Sequence, residues 1–122
     1  MTIEREDDPD RHLMLRPNVA SALATMWIEG ARQGTEGYVT GWKATWGLPW
    51  DFSPGEVLTG VHIWHGLVDV IVPVTHARHL ASAIPQARLV TYPGEGHLIA
   101  ITHWAEILAA LVPLSPAARA RP

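Results

Sequence analysis

The sequence predicts an α/β fold class: a short parallel sheet built as a βαβα unit, preceded by helices. Three observations carry this. Val61, Ile63 and Trp64 make a brief run dense in β-formers that Gly66 stops. From Val74 to Ile84 the pattern turns helical, with Ala77, Leu80, Ala81 and Ile84 at i, i+3, i+4 and i+7. Ala87-Arg-Leu-Val-Thr-Tyr92 is a second strand, broken by Pro93-Gly94-Glu95-Gly96 just before His97. Two strands joined by one helix run parallel, with a right-handed crossover.

Taken in order, the chain opens with an acidic lead-in over residues 1–16, carrying Glu4, Glu6, Asp7, Asp8 and Asp10 against Arg5, and it reads as a mobile, solvated charge run. Residues 17–56 are mostly helical. Asn18 is expected to cap a helix from Pro17 to about Gly34, with Val19, Leu23, Met26 and Trp27 on one stripe. Glu36 to Trp46 is a second helix, with Tyr38, Val39, Trp42 and Trp46 at helical spacing, and residues 48–55 are irregular. The βαβα part covers residues 57–113. In it Thr75 is the expected cap of the crossover helix, and Pro85 its stop. Thr102 is the expected cap of a last helix whose stripe is Trp104, Ile107, Leu108 and Leu111, ending at Pro113. The Ala/Arg/Pro-rich stretch 114–122 reads as a frayed tail.

A chain of 122 residues is one domain, able to bury about two-thirds of its unfolded surface. With 48% apolar residues, 17% charged and a net charge of −3, it offers no electrostatic case for nucleic acid or an acidic membrane. Zero cysteines exclude disulfides and thiolate metal sites and fit a reducing compartment. The polar, acidic N-terminus is unlike a signal peptide, and no apolar run approaches ~18 residues, so a cytoplasmic location is expected.

The chemistry follows from the strands. Parallel strands put both carboxyl ends on one edge of the sheet, and Asp69 and His97 each lie just past such an end. A carboxylate accepting from imidazole Nδ1–H holds the tautomer in which Nε2 takes a proton. Such a base serves a Ser, Cys or Asp nucleophile held roughly 3 Å from Nε2. Here the chain resembles the C-terminal part of an α/β-hydrolase. Gly66-Leu67-Val68-Asp69-Val70-Ile71-Val72-Pro73 is similar to that family's acid turn, and Gly94-Glu95-Gly96-His97 to its histidine turn. The resemblance implies a truncated α/β-hydrolase fold, with residues 17–56 as the end of a helical cap and Asp69 and His97 as catalytic residues. No G-x-S-x-G is present, and Ser21, Ser53, Ser82 and Ser115 each lack glycines two positions away on both sides. The family's oxyanion-hole glycine run is absent too. Two members of a triad are present, and the third is not.

Two functions are therefore expected. One is the acid–histidine half of an ester- or amide-type hydrolase, inactive alone, whose small acyl substrate is turned over only when a nucleophile is supplied. The other is a non-catalytic, hydrolase-derived binding or interaction module, favoured by the missing nucleophile and by apolar Val68 beside the acid. Six tryptophans crowd a chain of this length; they read as packing, or, for Trp42 and Trp46, as substrate-binding walls. Of the seven histidines, His62 and His65 point to opposite faces of a strand, and His76 and His79 share a helix face without a third ligand, so no metal and no cofactor are expected. Two parallel strands leave the open edge of the first unsatisfied, which implies a homo-oligomer or an N-terminal hydrolase half as partner.

Overall fold

The computed structural model describes residues 8–47 and 49–112. The first seven residues of the expected lead-in, and the tail with Pro113 and Ser115, lie outside that range. The described residues form an α/β arrangement with a two-stranded parallel sheet.

The acidic segment is not a solvated run where it is described. Asp8 caps a helix, α1 (Pro9–Met14), by accepting from the Asp10 amide at 3.0 Å, and Pro9 starts the first turn without an N–H to satisfy. Both Asp8 and Asp10 are buried. The reason is tertiary, because Asp10 is held by the opposite end of the chain.

Helix α2 (Pro17–Gly30) begins at Pro17, with Arg16 as its cap residue and no side-chain cap bond. The expected Asn18 cap is displaced because proline presets the first helical φ and removes one orphan amide. The helix covers the whole apolar stripe but ends at Gly30, short of the expected Gly34, which turns the chain at φ 98°. Helix α3 (Glu36–Trp42) continues into a π-helical turn, Lys43–Gly47. Along this segment rings meet in succession: Trp27 on Tyr38, Tyr38 on Trp42, Trp42 on Trp46, and Trp46 on His76, with centroids about 6 Å apart throughout.

Strand β1 (Val61–Gly66) pairs in parallel with β2 (Ala87–Tyr92), from Val61 opposite Ala87 to Gly66 opposite Tyr92. Between them α4 (Val74–Ala83) packs on both strands, burying Ala77. Pro73, not Thr75, is its cap residue: the Pro73 carbonyl accepts from His76 N at 3.0 Å, and no side chain caps the first turn. A short helix α5 (Ile99–Thr102) lies against β1, and α6 (Trp104–Leu111) follows after His103. Thr102 closes α5 and is not the cap of α6; its hydroxyl donates to Glu95.

The core among the described residues is small: Leu13, Val19, Ala77, Ile84 and Ile99. Among the described residues Gly66 is the only strand residue that is buried. Met26 and Trp27 of the α2 stripe stay exposed, as do Trp104, Leu108 and Leu111 of α6. These stripes are amphipathic faces without a sheet to cover them. No helix among the described residues is long and apolar enough to cross a membrane.

Candidate active site

The end of β1 and the end of β2 are stitched together by backbone. Leu67 N donates to Tyr92 O at 3.0 Å, and Val68 N to Glu95 O at 3.1 Å. A Cβ on Gly66 would stand 2.2 Å from Glu95 O and 2.4 Å from Gly96 O, so only glycine lets the two turns approach this closely. Gly94 adopts φ 78°, which reverses the chain after β2.

On this platform the Asp69 carboxylate has divided duties. Its Oδ1 accepts from Ile71 N and Val72 N, both at 2.8 Å, which closes the turn on itself. Its Oδ2 is left for the ring of His97, whose Nδ1 lies 3.0 Å away. The Asp69 side chain is 5% exposed and that of His97 40%. A carboxylate only accepts, so Nδ1 carries the proton, and in the Nδ1–H tautomer Nε2 is the ring's proton acceptor.

A second histidine supports the same acid. His65 Nε2 lies 2.9 Å from Val72 O, a carbonyl that can only accept, so this nitrogen donates. The same N–H lies 3.7 Å from Asp69 Oδ2. His65 thereby closes the turn from β1, while His62, on the other face, is exposed and stacks on Trp64.

Asp10 is the residue that sequence reasoning missed. Its Oδ2 accepts from His97 N at 2.6 Å and its Oδ1 from Leu98 N at 2.8 Å. Nothing in the local pattern marks a partner so distant along the chain. The Asp8-Pro9 pair does announce a capped helix, and that signal was available to set against the charge run.

The other candidates fall elsewhere. Trp42 and Trp46 are half-exposed and stack on each other, and Trp46 reaches His76 rather than the Asp69–His97 pair. A groove of about 650 Å³ beside them is lined by Trp50, Phe52, His76 and His79 among others, and its lining includes neither Asp69 nor His97. Ser82 donates to His79 O within α4, and Ser21 lies on α2. Among the described residues no hydroxyl is hydrogen-bonded to His97, and no group of three or more His, Asp or Glu is placed to hold a metal ion.

Behind the histidine turn lies a polar cluster. The Tyr92 hydroxyl donates to Glu106, Trp64 Nε1 donates to the same carboxylate at 3.3 Å, and His103 lies between Glu106 and Glu95. The bond to Glu106 pushes the Tyr92 phenol up to about 12, and in return holds the Glu106 carboxyl below its usual range.

What the fold and site define is an α/β chain that presents a carboxylate–imidazole pair at the carboxyl edge of a parallel sheet. No family model matches the chain, and neither curated proteins nor solved structures give a match.

Proposed function

We infer that this chain is the acid–histidine part of an α/β-hydrolase-type enzyme acting on ester- or amide-like acyl substrates, with the nucleophile supplied from outside the chain. The observation that carries the reading is the 3.0 Å contact between Asp69 Oδ2 and His97 Nδ1, with the acid buried and the histidine side chain partly exposed. In this mechanism Nε2 accepts the proton of the incoming hydroxyl as its oxygen attacks the acyl carbon. The same proton passes to the leaving oxygen or nitrogen as its bond to that carbon breaks. Water then repeats the cycle on the acyl intermediate. Asp69 holds the ring and stabilises the imidazolium without taking its proton.

The test begins with the reading frame upstream of Met1, where a strand followed by G-x-S-x-G is expected. Joined to that segment, the protein hydrolyses p-nitrophenyl acetate, and His97→Ala abolishes the reaction. Hydrolysis by the purified 122-residue chain alone, lost in His97→Ala, would overturn the external nucleophile.

A second reading is a non-catalytic binding or interaction module of hydrolase origin. It is favoured by the half-exposed Trp27–Tyr38–Trp42–Trp46 ladder, an aromatic surface lying apart from the Asp69–His97 pair. Absence of any nucleophile elbow upstream or in a neighbouring gene selects it.

A further inference from the structure

We propose that Asp10 is a positioning residue for His97, a role that rests on the acid–histidine reading above. Two carboxylates hold this one residue from different sides. Asp69 takes the ring at Nδ1, and Asp10 takes the main chain at the His97 amide and at the next amide, Leu98.

Asp10 is 7% exposed, and a buried carboxylate is tolerated only where its oxygens are hydrogen-bonded. Each of its two oxygens receives one backbone N–H, and charge-assisted bonds of this kind are short and directional. They fix the peptide planes on either side of the His97 Cα, and so the direction in which its Cβ leaves the turn. The histidine turn is otherwise a glycine-rich loop with Gly94 at positive φ, so its local sequence alone leaves that direction loose.

Gly96 supplies an independent sign that the contact is built. A Cβ there would stand 2.4 Å from Asp10 Oδ2 and 2.6 Å from Cγ. The glycine before the histidine is therefore the space into which the Asp10 carboxylate fits. Helix α1, with Asp8 accepting from the Asp10 amide, presents that carboxylate rather than leaving it on a free tail. Asp10 touches no reacting atom; it acts through the aim of the imidazole.

The experiment is the 15N spectrum of the imidazole nitrogens in the full labelled chain, at a pH where His97 is neutral. In the wild type His97 is expected in the Nδ1–H form. Asp69→Asn removes that preference directly. In Asp10→Asn the side-chain NH2 faces one of the two backbone N–H groups, the turn is released, and His97 moves toward the tautomer mixture of free histidine. His65 serves as control for Asp10→Asn, because its Nε2–H bond to Val72 O does not involve Asp10. Loss of the Nδ1–H form in Asp69→Asn alone, with His97 unchanged in Asp10→Asn, overturns the role of Asp10 and leaves the acid–histidine pair standing. No change in either variant overturns both. Should Asp10→Asn unfold the chain, wild-type amide exchange decides: His97 and Leu98 are expected to exchange about tenfold or more slower than an open loop, and exchange at the open-loop rate overturns the proposal.

Discussion

Gly66 ends β1 with its α-carbon pressed against the carbonyl of Glu95, at a distance where a methyl group would lie 2.2 Å from the oxygen. This contact, more than the strand pairing, sets the separation of the acid and histidine turns. Gly66→Ala is expected to cost at least about 2 kcal/mol in urea unfolding, because the obstacle is backbone and cannot rotate away. It should also break the Val68 N to Glu95 O bond, read as faster exchange of the Val68 amide. An unchanged midpoint with a protected Val68 amide would contradict the geometry.

Ile99 follows the histidine turn on α5, which lies against β1, and it is one of few buried side chains. Ile99→Ala is expected to destabilise the chain by about 2–4 kcal/mol, through the lost burial of the deleted carbons and the cavity they leave. The measurement is the shift in the urea midpoint at constant slope.

The Tyr92–Glu106 bond gives the fold a signature at both pH extremes. Tyr92 rises from 10.0 to about 12 on folding, so its contribution is complete below pH 10 and disappears between pH 10 and 12. Glu106 moves the other way: its contribution is present above 4.5 and is lost as pH falls through the lowered folded value. Tyr92→Phe should remove the alkaline dependence and weaken the acidic one, since Trp64 and His103 still favour the Glu106 carboxylate. The phenol absorbance near 295 nm should show one tyrosine titrating near pH 12 in the wild type and none there in the variant.

The uncovered stripes predict association. Trp104, Leu108 and Leu111 line up on α6, with Leu111 70% exposed, and Met26 and Trp27 do the same on α2. Each strand also pairs on one edge only among the described residues. Light scattering at micromolar concentration is expected to give a mass above 13.4 kDa, falling when Trp104 and Leu108 are both changed to Glu. A stable, highly cooperative monomer would count against it.

The local pattern was enough for α4 and both strands, because hydrophobic period and glycine or proline stops act over a few residues. The caps were less legible. Asn18, Thr75 and Thr102 have the right chemistry, yet α2 already starts at Pro17, α4 starts behind Pro73, and Thr102 ends α5 with its hydroxyl donated to Glu95.

For this chain, residue order dictated the parallel pair and hence that Asp69 and His97 emerge on one edge, since a helix-length crossover admits no other direction. Tertiary structure alone decided that the acidic N-terminal segment folds back, that Asp10 grips the histidine turn from behind, and that the tryptophans stack away from the acid–imidazole pair. Burial of a carboxylate depends on partners far along the chain, and no period or spacing near Asp10 encodes where His97 comes to lie.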